Sequence, residues 1–258
     1  MGKTNFLQPV AFATCSYLKR RPGARKAMVL RALSSWGDLL DLPFAEKIFL
    51  DDRSPDLGAL RLLASTHLLE KFTRVEYCSV AHPAHCNFGY VGAVQLAVSP
   101  YILHLDDDVS VTGSQQECAQ WIDLAIRVME EDPKIMGFNL LHLDPSFHGP
   151  DFLPDRPYRE ELGLYHPKKY FGNAVSIIRR ELLCRLSYEE LLRRGANQRG
   201  GWENEVSNSP AEFVVANKKT PFEVENTSYF YSATSEISTP GRLAHELRVK
   251  LRRLRGRG

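Results

Sequence analysis

The 258-residue chain is predicted to be an α/β protein with a mainly parallel, Rossmann-like sheet and helices on both faces. Two observations predict this. Short apolar runs alternate with stretches of helical periodicity through the first 141 residues, and a β-α-β-α order favours parallel strands joined by crossover helices. The composition, 43% hydrophobic and 25% charged, is that of a globular chain with ample length for a large α/β core.

Val10–Cys15 is a first short strand, followed by a basic loop containing proline and glycine from Lys19 to Ala24. Met28, Val29, Ala32, Leu33 and Trp36 then line one helical face. Lys47–Leu50 is a second strand, ending in Asp51 and Asp52. Ser54 followed by Pro55 reads as a helix start, a capping hydroxyl and then a proline in the first turn. Leu60, Leu63, Ala64, His67, Leu68 and Phe72 form that helix's apolar stripe. Val75–Val80 is a third strand, and Tyr90–Val98 is compatible with a short helix. The run Tyr101–Leu105, bounded by Pro100, is a buried strand. Ser114 and Glu117 make a capping box for a helix that runs through Cys118, Trp121, Ile122, Ala125, Val128 and Met129 until Pro133. Ile135–Leu141 is another strand.

The second half is less regular. Residues 144–170 hold five prolines and read as one long loop, and loops of that length are usually functional or disordered. Tyr170–Ile178 is expected to be a strand, 180–194 a helix and Phe222–Tyr231 an extended segment. No internal repeat is present. The expected organisation is a single domain over 1–240, with 241–258 as an appended basic tail.

Charge is unevenly distributed. Of 33 basic and 31 acidic residues, seven and one lie in 242–258, leaving 26 and 30 elsewhere; the tail carries +6 and the body −4. Leu243, Leu247, Leu251 and Leu254 recur at helical spacing within the tail, the pattern of a basic amphipathic helix suited to an anionic membrane surface. The same stripe also suits a helix packed on the body. The acidic body argues against nucleic acid as a partner. No apolar stretch is long enough to span a bilayer, and the first eight residues lack the apolar core of a secretory signal. The five cysteines are scattered without a C-x-x-C pair, which fits a reducing, cytoplasmic setting. His82, His85 and Cys86 lie close together, but Pro83 interrupts them and no second ligand pair follows at zinc spacing.

The most informative feature is Asp106-Asp107-Asp108, placed directly after the buried strand. Three carboxylates together repel one another and gain nothing from packing. They are tolerated in a water-solvated turn, or they surround a hard cation. If the chain stays extended, Asp106 and Asp108 point one way and Asp107 the other, a D-x-D arrangement able to hold Mg2+ or Mn2+ against a diphosphate. In a parallel sheet ligands bind beyond the carboxyl ends of the strands, and Asp51, Asp52 and the triplet all lie at such ends.

Taken together, these segments resemble the GT-A nucleotide-sugar glycosyltransferases, most closely the inverting group called family 2. The resemblance runs through Val10–Thr14, through Phe49 to Asp56, through Asn87-Phe88-Gly89 and Ala93–Val98, and is strongest over Tyr101–Asp108. It covers about the first 110 residues well and the rest loosely. It implies a GT-A-like fold, with about 1–112 binding the nucleotide sugar and 113–240 serving the acceptor. It implies a UDP- or GDP-sugar donor, a glycan or lipid-linked acceptor, and Mn2+ or Mg2+ as cofactor. Asp52, or its neighbour Asp51, is implied to contact the nucleoside. Thr14, Ser16 and Tyr17 would line the nucleotide pocket together with Asn87 and Gly89, although the family's usual proline and asparagine are absent after the first strand. Asp106 is implied near the ribose or metal and Asp108 on the metal, with Asp107 the alternative if the register is off by one.

An inverting transfer also needs a base for the acceptor hydroxyl. The family's E-D or D-D pair after a glycine-aromatic turn has its counterpart here in Gly200-Gly201-Trp202-Glu203-Asn204-Glu205, so Glu205 or Glu203 is the implied base. A glycine turn with two solvated acids is the other reading of that stretch. Trp202 suits either a sugar ring or the core. His142, His148, His166 and His245 are conceivable further metal ligands.

Three other classes share some of these features. Haloacid-dehalogenase-type phosphatases carry D-x-D at a strand end, but on the first strand and with Thr or Val where this chain has Ser110. Sugar nucleotidyltransferases carry a glycine-rich basic loop after the first strand, faintly matched by Lys19–Gly23. A non-enzymatic adaptor acting through the basic tail leaves the acidic strand ends unexplained.

Overall fold

The computed structural model describes residues 9–18, 24–77, 96–141, 154–168, 174–184 and 211–224. In chain order these form β1 (Val10–Ser16), α1 (Ala24–Ser34), α2 (Gly37–Leu40), β2 (Glu46–Asp51), α3 (Gly58–Ser65), β3 (Arg74–Tyr77), β4 (Tyr101–Leu105) and β5 (Val109–Val111). They continue with α4 (Gln115–Glu131), β6 (Ile135–Asn139), β7 (Pro154–Arg159), β8 (Leu164–Pro167), β9 (Val175–Arg179), α5 (Arg180–Cys184), β10 (Glu212–Ala216) and β11 (Phe222–Val224).

Nine strands make one sheet in the order β3-β2-β1-β4-β9-β6-β10-β8-β7, and β5 pairs with β11 in a separate two-stranded ribbon. The pairings β3-β2, β2-β1 and β1-β4 are parallel, as the alternating pattern of the first half predicts, and β6-β10 is parallel too. β9 runs antiparallel between β4 and β6, and β8 and β7 add antiparallel pairings at the far edge.

Each sheet face is buried against its own apolar layer. Alternate β1 side chains part company: Val10 and Phe12 enter the larger core with α1, α3 and α4, whereas Ala11 and Ala13 enter the smaller one with Ile102, Ile178 and Leu182 of α5. The larger core centres on Phe12, whose ring lies 5.7 Å from Trp36, 5.9 Å from Phe44 and 6.0 Å from Phe72. Such aromatic pairs contribute about 0.5–1.5 kcal/mol each beyond their area. Trp36 also donates its Nε1 proton to the Val109 carbonyl at 2.7 Å, tying the α1–α2 turn to the segment after the acidic triplet.

Three expectations are revised. Ser54 does not cap a helix; its hydroxyl accepts the Leu18 amide at 2.9 Å, and a 3₁₀ turn over Pro55–Leu57 precedes α3. Asp56 and Leu57 take left-handed backbone there, at φ 55° and 56°, so α3 starts only at Gly58. Residues 144–170 are not one loop: β7 and β8 form a hairpin within them. Its prolines hid it: Pro154 and Pro157 lie on the edge strand β7, where proline is tolerated, and Pro167 ends β8 beyond its pairing with β10. Between the two strands Gly163 has φ 72°, and a Cβ there would press on the Lys218 side chain at 2.7 Å. Finally, β10 is a strand that the sequence reading does not include: Glu212–Ala216 is only five residues long. The expected short helix at 90–98 lies almost wholly outside the described residues, and the expected 180–194 helix is described only as far as Cys184.

The capping box forms as the sequence predicts. Ser114 Oγ accepts the Glu117 amide at 3.3 Å, and Glu117 returns to the Ser114 amide at 2.7 Å. Ser114→Ala should therefore lower stability by about 1 kcal/mol, read as a reduced urea midpoint at unchanged slope.

Candidate active site

The parallel registers bring the strand ends together. Ser16 lies opposite Asp51 across β1 and β2, and Ala13 opposite His104 across β1 and β4, so both aspartate clusters flank the end of β1. Thr14 seals the β1–β4 seam, its hydroxyl donating to the Leu105 carbonyl at 2.7 Å. Thr14 is fully buried, which makes it a wall of the site and not a contact surface.

The triplet does not remain extended. The Val109 amide donates to the Asp106 carbonyl at 3.1 Å, closing a turn over Asp107 and Asp108. Strict alternation therefore stops at Asp106. Asp106 keeps the strand's direction: its Oδ1 lies 2.8 Å from Nε2 of His104, two residues earlier on the same face. Asp107 and Asp108 instead turn together toward the start of α1. Asp107 Oδ2 accepts from Ser16 Oγ at 2.5 Å, and Oδ1 accepts from Arg25 NH2 at 2.7 Å. Arg25 NH1 stops 4.0 Å from Asp108 Oδ2. Arg25 is further held by its Nε, which donates to the Tyr17 carbonyl at 3.3 Å.

The three carboxylates thus have different environments. Asp106 is the exposed member, its side chain 37% accessible. Asp107 is buried and has both oxygens engaged. Asp108 is buried, and its Oδ2 has no hydrogen-bond partner. Burial, then the charges of Asp106 and Asp107, push the Asp108 carboxyl well above the usual range against the opposing pull of Arg25. Burial lowers the Arg25 guanidinium, but Asp107 and Asp108 outweigh it and hold the group above its ordinary value.

The two aspartates after β2 also separate. Asp51 is fully buried and works for the backbone, accepting the Ser54 amide at 2.8 Å and the Leu60 amide at 3.2 Å. It closes the loop onto the start of α3. Its carboxyl is raised by burial, which outweighs these hydrogen bonds. Asp52 instead pairs with Arg53 Nε at 2.9 Å, and Arg53 has left-handed backbone at φ 62°. Backbone strain of this kind is characteristic of functional loops.

Arg25, His104 and Asn139 were not picked out from the sequence. Arg25 follows the basic loop that the sequence marks after β1, but nothing in that loop says which cation faces the triplet. In the sequence His104 is one residue of an apolar run; in the fold it is fully buried, with Nδ1 3.0 Å from the Ala13 carbonyl. Asn139, at the end of β6, is fully buried; Oδ1 accepts the Leu141 amide and Nδ2 has no hydrogen-bond partner. Register places Asn139 and His104 on either side of Ser176, extending a buried polar row across three strands. His166 lies away from this row: its Nδ1 meets the Phe213 carbonyl near the start of β10, on the opposite side of the sheet from the strand ends. Asn87, Gly89, Glu203 and Glu205 lie outside the described residues, as do His82, His85, Cys86, His142, His148, His245, Trp202 and the basic tail.

A cation fits part of this geometry. Asp108 offers a buried oxygen with no hydrogen-bond partner, and oxygen donors suit Mg2+ and Mn2+. Asp106, whose charge acts on Asp108, adds an accessible carboxylate at the same strand end. Among the described residues no group of three or more His, Cys, Asp or Glu side chains is set to hold a metal, so a cation here would complete its shell from the ligand and water.

No protein-family model matches the chain, and no curated protein does. Solved structures do. S. aureus TarS 1–349 is similar at 14% identity and TM-score 0.51, over 90% of this chain and 68% of that one. GalNAc-T7 with UDP, GalNAc and Mn2+ is similar at 14% identity and TM-score 0.56, over 84% of this chain and 44% of that one. The mannosyltransferase PcManGT from Pyrobaculum calidifontis, in complex with GDP-Man and Mn2+, is similar at 14% identity and TM-score 0.52, over 93% of this chain and 66% of that one. The chain thus spans less than two thirds of the last two. At this identity the likeness establishes the fold, which is GT-A-like, as the motif resemblance implies.

The raised carboxyls have a consequence for stability. A carboxyl whose pKa is higher folded than unfolded keeps its proton longer in the folded state, so stability falls as pH rises from the ordinary carboxylate range, about 4, through the raised value. Asp108 and Asp51 both act in this sense. The protein without divalent cation should lose thermal stability as pH rises above about 4, through the raised range of these two carboxyls. Asp108→Asn should raise its melting temperature at neutral pH and flatten the slope, leaving the part due to Asp51. A variant that melts lower than the parent at neutral pH would contradict the strain assigned to Asp108.

Proposed function

We propose that the chain is a metal-dependent glycosyltransferase that moves a sugar from a nucleoside diphosphate sugar to an acceptor hydroxyl, in cell-surface polysaccharide or glycolipid synthesis. The observation that carries the proposal is the edge of the sheet: on a GT-A-like fold, the strand-end aspartates converge and one of them, Asp108, has a buried oxygen with no hydrogen-bond partner. The UDP, GDP-Man and Mn2+ held by structures of similar fold support the donor class and the cation.

The roles follow from the environments. Asp108 takes the cation and Asp106, the accessible member, faces the donor's ribose or the cation. Asp107 is the fixed member, since Ser16 and Arg25 already use both of its oxygens; this favours Asp106 and Asp108 as the D-x-D pair over a register shifted by one. Asp52 is the nucleoside contact, because Asp51 is occupied with backbone amides. Ser16, Tyr17, Asn87 and Gly89 border the nucleotide, and Thr14 supports them from within the sheet. When bound, the cation supplies Lewis-acid stabilisation of the departing diphosphate. Transfer is inverting, with Glu205, or Glu203, removing the acceptor proton. Residues 1–112 bind the donor and 113–240 the acceptor.

The expected outcome in a transfer assay across UDP- and GDP-sugars is cation-dependent turnover, lost in EDTA and restored by Mn2+. Asp108→Ala should abolish it while the thermal unfolding transition stays cooperative. Glu205→Gln or Glu203→Gln should slow it by about 10²–10⁴-fold with donor affinity little changed. Full turnover in EDTA removes the metal from the mechanism, and undiminished turnover in both glutamine variants removes the assigned base.

The basic tail is proposed as a peripheral attachment to anionic membrane at the cytoplasmic face, where lipid-linked acceptors are assembled. Among the described residues no helix is long and apolar enough to cross a membrane. Each basic group near such a surface contributes roughly 1 kcal/mol. The full chain should sediment with anionic liposomes at low salt, and deletion of 242–258 should release it while donor hydrolysis continues. Absence of sedimentation makes the tail structural.

A further inference from the structure

The two orphaned polar atoms beside the acidic turn carry opposite charge and face one another. Arg25 NH1 and Asp108 Oδ2 are both buried without a hydrogen-bond partner, 4.0 Å apart. The guanidinium cannot close this gap freely. Its NH2 is held by Asp107 at 2.7 Å and its Nε by the Tyr17 carbonyl at 3.3 Å, and its side chain is only 16% exposed. Arg25 therefore sits as a fixed positive charge beside the one carboxylate oxygen left open for a cation. With all three carboxylates ionised the triplet carries −3, and Arg25 reduces this to −2. A divalent cation entering at Asp108 meets a site already partly neutralised and a like charge close by, in surroundings drier than bulk water, where such repulsion is strengthened.

We infer that Arg25 makes cation binding at the triplet depend on the nucleotide: a divalent cation alone binds weakly, and it binds firmly only together with a diphosphate. The diphosphate brings the negative charge that both the cation and the guanidinium then face. Arg25 is on this account a specificity-determining residue. It couples cation and donor, so that neither is held for long without the other. This rests on the nucleotide-sugar reading above.

By linkage the same factor must govern both ligands: the gain in Mn2+ affinity caused by nucleotide equals the gain in nucleotide affinity caused by Mn2+. The test is Mn2+ binding by equilibrium dialysis on the full chain, with and without UDP or GDP present on both sides of the membrane. The parent should show a coupling of about tenfold or more, and Arg25→Lys, which keeps the charge, should show a similar one. Arg25→Gln should bind Mn2+ alone more tightly than the parent and reduce the coupling by about threefold or more, the part left being the diphosphate's own contact with the cation. If Arg25→Gln fails to fold, Arg25→Met, which fills the same space without the charge, should show the same reduced coupling. Coupling unchanged in the folded variants overturns the role of Arg25 and leaves the glycosyltransferase proposal standing. Absence of Mn2+ binding to parent and variants, with or without either nucleotide, overturns both.

Discussion

Mutual repulsion among Asp106, Asp107 and Asp108 is the constraint around which this end of the molecule is arranged. Two unit charges 4 Å apart interact by about 1 kcal/mol in water but about 4 kcal/mol at the effective dielectric typical of a protein surface. Three adjacent carboxylates at the end of a buried central strand cannot be left to solvent alone. The fold answers by separating them. Asp106 turns back to His104, Asp107 takes Ser16 and Arg25, and Asp108 is left buried with one oxygen free. Burial and the charges of its neighbours raise the Asp108 carboxyl well above the usual range, so the strain that remains is concentrated at that one position.

The separation depends on the parallel ladder. Because β1 lies between β2 and β4, its end is flanked on both sides by aspartates, and Ser16 is the residue that reaches across to Asp107. The helix that follows β1 begins with Arg25 in its first turn, on the face opposite His104. The turn through the triplet thus crosses the edge of the sheet, one carboxylate on one face and two toward the other. Adjacent Asp51 and Asp52 show the same division of labour. One organises the loop onto α3; the other stays at the edge beside a strained Arg53.

Much of the fold was legible in the sequence because its signals are local. The capping box at Ser114 and Glu117, the helical stripe from Cys118 to Met129 and the apolar run at Tyr101–Leu105 each depend on neighbours within a few residues. Where expectation failed, the deciding partner was distant. Ser54 is a good cap by residue type, but the Leu18 amide 36 positions away claims its hydroxyl. The β7–β8 hairpin was masked by prolines that disqualify a central strand and are harmless at an edge, and edge position is a property of the assembled sheet.

The sequence by itself determined the alternating architecture, the strand-end location of the acidic triplet and the character of its chemistry. Residue type and local spacing suffice for these: three carboxylates after a buried strand are an electrostatic problem whatever surrounds them. Only the tertiary structure decided which carboxylate does what. Extended-chain alternation pairs Asp106 with Asp108, but the 106–109 turn sends Asp107 and Asp108 the same way. It was tertiary structure, too, that brought Arg25 to within 2.7 Å of Asp107, across 82 positions of chain, and set the buried His104 between the Ala13 carbonyl and Asp106. The physical reason is that charge acts through space. A carboxylate's protonation, orientation and availability to a cation are set by the groups around it in the fold, and sequence separation says nothing about which groups those are.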